Sequence, residues 1–197
     1  MMNQQNTRTR TRTRRLNRPR VWMMGIAVFT LLAALLWQAP ARATEGDHTR
    51  DLIRAAMVYN FCKFVDWPAE KEGPSLVLGV LSDPLQAPDF SSIDGKRVQD
   101  RSLQVRHVSS RQELAGCDLV FIDEQIVLPL ADVLADTAQE QVLTISEMDD
   151  FCVSGGIIQM VPRRGKMRFF INREAAGDAG LVLSSQLLKM ARIVEGD

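Results

Sequence analysis

Two short, uninterrupted apolar runs constrain the fold of this chain most. The first, Ser75–Leu81, lies between Gly73-Pro74 and Asp83-Pro84, and the second is Asp118–Ile122. Runs of this length are too short for a stable helix and are typical of strands that are buried on both faces. They predict a largely parallel sheet whose two faces are both covered by other elements.

Helical segments alternate with these strands. Before Trp67, side chains recur at helical spacing, and Pro68 disfavours helical backbone at the residue that precedes it. This predicted stripe consists of Ile53, Ala56, Met57, Asn60, Phe61 and Phe64. A strand is also predicted at 98–108, a short helix at 109–115, a helix at 126–138 and a strand at 142–145. The alternation predicts an α/β fold: a layered, Rossmann-like domain with a largely parallel sheet and helices on both faces.

The end of the chain departs from this alternation. Two β-rich runs at 155–161 and 166–172 flank a short segment with Pro and Gly, so the sheet is expected to end in an antiparallel hairpin. A last helix is expected to begin at Ser184 or Ser185. Four basic residues mark the hairpin, namely Arg163, Arg164, Lys166 and Arg168. They form either a surface for an anionic partner or a charged edge that resists self-pairing.

Residues 1–43 are predicted to be a secretory signal peptide. A segment with many arginines runs into the apolar stretch Val21–Trp37, and Pro40-Ala41-Arg42-Ala43 follows it. These are the three regions of an export signal, so cleavage is expected after Ala43. An uncleaved signal anchor is the alternative, although the apolar stretch is short for a membrane span. The expected product is one exported domain over residues 44–197.

Removing the signal changes the charge balance. The whole chain has 24 basic and 24 acidic residues, but the first 43 hold eight arginines and no acid, which leaves 16 against 24. An acidic domain of this kind does not attract nucleic acid or an anionic membrane through its long-range field. Neither is therefore expected as a partner.

No catalytic, cofactor or metal motif is recognisable. Ser154 precedes two glycines, but a nucleophile elbow needs glycine where Cys152 stands. No glycine-rich phosphate-binding fingerprint follows the first buried strand. The carboxylates of Glu147, Asp149 and Asp150 follow Ser146 and are interpreted as the cap and acidic first turn of a short helix. The sequence predicts a protein without enzymatic activity, cofactor or metal.

The three cysteines do not match a metal or redox motif either. The spacing of Cys62, Cys117 and Cys152 fits neither a C-x-x-C pair nor a zinc knuckle. Export makes disulfides possible, and an odd number leaves at least one thiol free in a monomer. Each cysteine is therefore either a free thiol or part of one disulfide.

Three stretches together resemble the YfiR family of periplasmic proteins. Tyr59–Pro68 resembles the family's helix that ends in K-F-x-x-W-P, and Cys117–Ile122 is similar to the strand that the family begins with cysteine. The closing hairpin and helix of the family are similar to 155–158, 168–172 and 180–188. The matching motif residues, which the resemblance implies to be structural, are Lys63, Trp67, Pro68, Gly155, Gly156 and Asn172.

The resemblance implies a regulatory role. Characterised YfiR-like proteins bind the periplasmic sensor domain of a membrane-bound diguanylate cyclase and inhibit it, which lowers cyclic di-GMP and biofilm growth. Such a cyclase is the expected partner, and a homodimer is left open. The alternative is a small-ligand-binding module, because Ser82-Asp83 and Asp123-Glu124 follow buried strands, where open α/β sheets bind ligands.

The resemblance also bears on redox control. In family members with a redox-sensitive disulfide, a cysteine in the first buried strand faces the cysteine that opens the C-x-x-x-F-I strand. Here Gly79 stands in the first of these strands, so Cys117 is expected to lack that partner. Pairing of Cys117 with Cys62 or with Cys152 stays open.

Overall fold

The computed structural model describes residues 43–68, 71, 73–163 and 166–194. Residues 45–197 form one compact unit. The predicted signal peptide lies outside the described residues, apart from Ala43, at which the first described helix begins.

The described helices and strands alternate over most of the chain. In chain order the strands are β1 (Val65–Asp66), β2 (Ser75–Leu81), β3 (Arg97–Val98), β4 (Arg101–Val108), β5 (Leu119–Ile122), β6 (Leu143–Ser146), β7 (Ile158–Arg163), β8 (Lys166–Asn172), β9 (Val182–Leu183) and β10 (Arg192–Val194). The α-helices are α1 (Ala43–Cys62), α2 (Leu130–Gln139), α3 (Arg173–Asp178) and α4 (Ser185–Met190). Short 3₁₀ helices in the described part of the chain include Ser91–Ile93 and Arg111–Gly116.

Eight of these strands form one mixed sheet in the order β10-β8-β7-β6-β5-β2-β4-β3, and β1 pairs with β9 in a separate ribbon. The five neighbours β7, β6, β5, β2 and β4 run parallel. The antiparallel pair β7–β8 confirms the predicted hairpin. Because β2, β5 and β6 are parallel, their carboxyl ends meet at one edge of the sheet, here called the carboxyl edge.

The sheet separates two apolar clusters, which confirms that both faces are covered. Successive side chains in a strand point to opposite faces, so Leu78 and Val80 of β2 join the cluster around α1, whereas Leu81 joins the cluster around α2. Helices α3 and α4 contribute Ala176 and Leu187 to the cluster around α1. The predicted Rossmann-like layering is therefore present.

The buried face of α1 differs from the predicted stripe. Ile53 is 46% exposed, and Ala56 and Asn60 are also exposed. Phe61 of the predicted stripe is buried, and Met57 and Phe64 are partly buried against the cluster around α1. The other buried side chains are Arg54, Ala55, Val58 and Cys62. The prediction was therefore wrong for Ile53, Ala56 and Asn60, because a charged side chain, that of Arg54, lies on the buried face and interrupts its apolar pattern.

Two other boundaries differ from the prediction for local reasons. Helix α2 begins at Leu130 because Pro129 has extended backbone, with ψ of 123°, and stands at its N-cap. The strand predicted at 98–108 is divided at Gln99, where φ is 52° and β3 turns back onto β4. No Asn-Gly or Asp-Gly pair marks this turn in the sequence. The last helix does begin at Ser185, and Ser184 caps it by accepting a hydrogen bond from the Leu187 N–H.

The outer edge of β4 is closed by its own chain. Strand β3 pairs only with the first two residues of β4. Beyond it, the Leu103 N–H donates to the Lys96 carbonyl over 2.8 Å, and the Gly95 N–H donates to the Leu103 carbonyl over 2.8 Å. The Val105 N–H donates to the Asp94 carboxylate over 2.9 Å. Residues 94–96 thus satisfy backbone groups that an edge strand otherwise exposes.

The β7–β8 hairpin continues past the carboxyl edge. Strand β7 pairs with β6 only as far as Gln159, which lies opposite Ser146, the last residue of β6. From there β7 and β8 pair with each other as far as Arg163 and Lys166. This two-stranded extension, here called the basic ribbon, carries Arg163, Lys166 and Arg168. The predicted partner residue Arg164 lies outside the described residues.

Candidate functional site

A crevice of about 400 Å³ opens at the carboxyl edge. Helix α1 forms one wall, and the loops that follow β2, β5 and β6 form the others. Its lining residues are Asp47, Arg50, Asp51, Arg54, Gln86, Ala87, Pro88, Asp123, Glu124, Gln125 and Glu147. Asp123 and Glu124 lie where the sequence predicted crevice-lining groups. Ser82 and Asp83, which were expected beside them, are not among the described residues that line it.

A buried ion pair connects α1 to the end of β6 within this crevice. The Arg54 guanidinium donates from Nε to Glu147 Oε1 over 3.0 Å and from Nη2 to Glu147 Oε2 over 3.1 Å. Arg54 Nη1 also donates to Asp51 Oδ1 over 2.5 Å. The side chains of Arg54 and Glu147 are only 8% and 4% exposed. Such a paired, two-bond contact is the form in which proteins tolerate buried charge.

Two further contacts fix the position of this pair. Arg50 Nη2 donates to Glu147 Oε2 over 2.5 Å from a side chain that is 52% exposed. The Arg54 guanidinium carbon lies 5.3 Å from the centre of the Phe121 ring, within the range of a cation–π contact. Glu147 therefore accepts from both arginines of α1 and does not cap a helix, so the interpretation made from the sequence was wrong for this residue.

The pKa of Glu147 results from opposing effects. Burial raises the pKa of this carboxyl group, but the hydrogen bonds and positive charges of Arg54 and Arg50 lower it, and the net shift is downward. Glu147 is therefore ionised at neutral pH, and its negative charge is paired with the two arginines.

The remaining crevice is acidic. Its lining includes five carboxylates and two arginines, and both arginines already contact Glu147. No side-chain hydrogen bond of Asp123 or Glu124 is present among the described residues. The hydrogen bond to Glu147 raises the pKa of Arg50 most, and the charges of Glu124 and Asp123 raise it further. The crevice thus presents uncompensated negative charge, which favours a cationic group.

A second cavity of about 390 Å³ shares the wall formed by Ala87 and Pro88. It is lined by Asp89, Asp94 and His107 together with apolar groups. The Asp89 N–H donates to Asp51 Oδ2 over 3.2 Å, which ties the loop after β2 to α1 between the two cavities. The two cavities therefore lie on either side of one short loop.

Two of the family motif residues make contacts at the end of α1. Trp67 Nε1 donates to the Cys62 carbonyl over 3.3 Å, which holds the segment containing Pro68 against the end of α1. Lys63 Nζ lies 4.0 Å from the centre of the Tyr59 ring. Together these contacts stabilise the turn that leaves α1.

Asn172 joins two parts of the fold. Its Oδ1 accepts from the Ala175 N–H over 2.9 Å and caps α3, while its Nδ2 donates to the Cys152 carbonyl over 2.8 Å. The residue is 3% exposed, and its bond to Cys152 is buried. Asn172 therefore fixes the start of α3 to the loop after β6.

The two motif glycines are required for different reasons. Gly155 has φ of 95°, a backbone conformation that side chains disfavour. A Cβ atom on Gly156 would overlap the ring of Phe151, which is fully buried. The Gly155-Gly156 pair is thus explained by backbone and packing.

The three cysteines are buried and free. Cys62 packs in the cluster around α1 and Cys117 in the cluster around α2, so the sheet lies between them. The pairings of Cys117 with Cys62 or Cys152 that the sequence left open are not formed. Burial raises the pKa of Cys62 to about 12 and that of Cys152 to about 11. Burial also raises the pKa of Cys117, although Arg106 opposes the shift.

Gly79 lies directly against Cys117. A Cβ atom built on Gly79 would be 2.7 Å from Cys117 Sγ and 2.9 Å from Val108 Cγ2. In a disulfide, a Cβ atom lies roughly 3 Å from the partner's sulfur. The position of Gly79 therefore has nearly the geometry from which a cysteine could reach Cys117.

We expect Gly79→Cys to form a disulfide with Cys117. The wild-type protein, denatured without reductant, should titrate three thiols, whereas the oxidised variant should titrate two, those of Cys62 and Cys152. Gly79→Cys/Cys117→Ala is the matched control and should titrate three. Four thiols in the single variant would show that Val108 prevents the approach.

None of the helices in the described part of the chain combines the length and the apolar character that a membrane crossing requires. In the same part of the chain, no three His, Cys, Asp or Glu side chains are grouped as metal ligands.

Comparison with known proteins identifies a family. A model of the YfiR/HmsC-like family matches residues 51–192. Among solved structures, a conserved domain protein from Vibrio cholerae aligns with a TM-score of 0.43 and 12% identity, over 59% of this chain and 54% of that one. An ABC domain in complex with L-Trp from Streptococcus pneumoniae aligns with a TM-score of 0.43 and 12% identity, over 60% and 55%. The chain thus spans little more than half the length of these two structures.

Proposed function

Because the chain belongs to the YfiR/HmsC-like family, which consists of periplasmic regulatory proteins, we propose that it binds and inhibits the periplasmic sensor domain of a membrane-bound diguanylate cyclase. The match over residues 51–192 supports this proposal, since it includes nearly all of the chain that follows the predicted signal peptide. Binding lowers cyclic di-GMP and with it biofilm growth.

Inhibition of this kind requires a difference in affinity. A partner can shift a receptor towards its inactive state only by binding that state more tightly than the active one. The protein therefore needs a surface that recognises one conformation of the sensor domain, and it needs no catalytic group. The family is regulatory and non-catalytic, and we propose that this chain likewise acts without enzymatic activity.

Location is part of the proposal. We propose that residues 1–43 direct export and are removed after Ala43, which places residues 44–197 in the periplasm beside the sensor domain. We propose the basic ribbon as one contact surface, because it extends past the sheet and brings the cationic side chains of Arg163, Lys166 and Arg168 together. Arg164, the next residue in the sequence, is part of the same proposal.

Deletion of the gene should raise cyclic di-GMP and biofilm mass, because the cyclase loses its inhibitor. The full-length chain should restore both to wild-type levels, and a chain that lacks residues 2–43 should not, since it stays in the cytoplasm. Cyclic di-GMP would be quantified by mass spectrometry. Unchanged cyclic di-GMP in the deletion strain would contradict the proposal.

The same complementation assay examines the basic ribbon. Lys166→Glu/Arg168→Glu should restore cyclic di-GMP control less than wild type does, with the protein at equal abundance. The matched control is Arg97→Glu/Lys189→Glu, which reverses two exposed charges on other elements. Full restoration by the ribbon variant would remove the ribbon from the contact surface.

A second candidate is a periplasmic module that binds a small ligand, and the crevice at the carboxyl edge favours it. Its volume of about 400 Å³ and its acidic walls suit a small cationic metabolite. A concentration-dependent rise of the melting temperature with such a compound would support this function, because a ligand that binds only the folded state stabilises it.

A further inference from the structure

Exposed apolar side chains lie in the segments that line the acidic crevice. Leu85, which directly precedes lining residue Gln86, is 92% exposed, and Val127, two residues after lining residue Gln125, is 96% exposed. Leu52 on α1 is 44% exposed and follows lining residue Asp51. Apolar side chains that are this accessible around a concave polar site are typical of protein contact surfaces.

The charge of the crevice restricts what can enter it. Arg50 and Arg54 already contact Glu147, so the groups left for a ligand are the carboxylates of Asp123 and Glu124 and, on α1, that of Asp47. An anionic partner would meet uncompensated negative charge. A lysine or arginine side chain would instead pair with carboxylates in a partly enclosed space, where such pairs are stronger than on an open surface.

One polar group at the same edge has no partner. The hydroxyl of Ser82, the residue that follows β2, is buried and makes no hydrogen bond with any described residue. Buried hydroxyl groups are usually paired, because leaving one unpaired is costly. The Ser82 hydroxyl does not line the crevice, so the acceptors that the carboxyl edge offers to a partner are the crevice carboxylates, with exposed apolar side chains in the same segments.

We propose that the carboxyl edge is a docking surface for a protein segment that carries lysine or arginine. The basic side chain enters between Asp123, Glu124 and Asp47, and apolar residues on either side of it cover Leu85 and Val127. A small cation would fill the crevice and leave both apolar side chains in water, so a protein segment accounts for more of the surface. That the segment belongs to a cyclase sensor domain rests on the proposed function; the docking surface itself does not.

Site-specific photocrosslinking in living cells tests this surface. p-Benzoylphenylalanine would replace Val127 in the full-length chain, and adducts would be mapped by mass spectrometry. The control carries the same amino acid at Asp178, an exposed position in α3, which follows the amino-terminal end of the sheet. We expect an adduct from position 127 that is absent from 178 and maps to a lysine- or arginine-bearing segment of another protein.

Neutralising the crevice carboxylates provides a second test of the docking surface. Asp123→Asn/Glu124→Gln should lower the adduct yield at least tenfold, whereas Asp100→Asn/Asp178→Asn, which removes the same charge elsewhere, should leave it unchanged. The melting temperatures of both variants should match that of the wild type. Any of four results would overturn the proposal. The adduct yield is unchanged in the first variant, the adduct maps to a segment without basic residues, the adduct contains a second copy of this chain, or no adduct forms.

Two results separate this surface from the proposed function. A basic adduct in a protein other than a diguanylate cyclase supports the surface and contradicts the proposed partner. Normal control of cyclic di-GMP by Asp123→Asn/Glu124→Gln, without any adduct, supports the proposed function and overturns the surface. Spermidine is the small-cation probe. If it raised the melting temperature of the wild type but not that of Asp123→Asn/Glu124→Gln, and no protein adduct formed, the docking surface would also be overturned.

Discussion

Replacing Arg54 with methionine should lower the free energy of unfolding by about 3–5 kcal/mol, the usual cost of leaving one member of a buried ion pair without its partner. Glu147 would keep only Arg50, whose side chain is half exposed, while its own side chain stays 4% exposed. The variant should also lose the cation–π contact with Phe121. Urea denaturation followed by circular dichroism measures the change.

Two further variants identify the cause. Arg54→Met/Glu147→Leu should recover most of the lost stability, because an apolar pair of similar volume often replaces a buried ion pair at little cost. Arg111→Met removes an arginine from exposed pairs with Asp132 and Asp136 and should leave the unfolding midpoint nearly unchanged. Equal effects of Arg54→Met and Arg111→Met would show that burial of the first pair has no energetic role.

The same pair makes stability depend on pH. The pKa of Glu147 is lowered in the folded protein, so its contribution is complete above its ordinary value of 4.5 and is lost as pH falls through the lower, folded value. Between pH 7 and pH 3 the wild type should therefore lose more stability than Arg54→Met/Glu147→Leu. Parallel pH profiles for the two proteins would contradict this assignment.

Gly156→Ala should lower the free energy of unfolding by about 1–3 kcal/mol or more, as overpacking of a rigid site does. The new methyl group would overlap the ring of Phe151, and that ring is fully buried and cannot move into solvent. Thermal denaturation monitored by circular dichroism measures the effect.

Two comparisons separate packing from backbone effects. Gly177→Ala lies in α3 with no atom near the added Cβ, so it should be neutral or slightly stabilising. Phe151→Leu should cost stability alone but should lower the additional cost of Gly156→Ala, because the smaller side chain leaves room for the methyl group. Additive effects of Gly156→Ala and Phe151→Leu would contradict the overlap.

The sheet could be predicted because a strand that is buried on both faces needs apolar side chains at successive positions. Strands β2 and β5 are continuous apolar runs, and their carboxyl ends indicated Asp123 and Glu124 as crevice residues. The rest of the crevice depends on α1, whose buried face was predicted only in part. A buried arginine looks like a solvent-facing residue until its partner is known.

That partner could not be found from spacing. Arg54 and Glu147 are 93 residues apart, and no local pattern distinguishes a carboxylate that caps a turn from one that receives two arginines. Gly156 was similarly recognisable only by resemblance, since its requirement comes from the ring of Phe151. The first contact joins distant segments and the second lies within one loop, but both depend on side-chain packing that the sequence alone does not show.

The closed edge of β4 limits how a partner can bind. Many recognition domains accept an extended peptide as an additional strand, which needs free backbone donors at the edge of a sheet. At Leu103 and Val105 these N–H groups already donate to residues 94–96. A peptide could pair with this stretch of β4 only by displacing residues 94–96, so a partner that binds there is expected to contact side chains and not backbone donors.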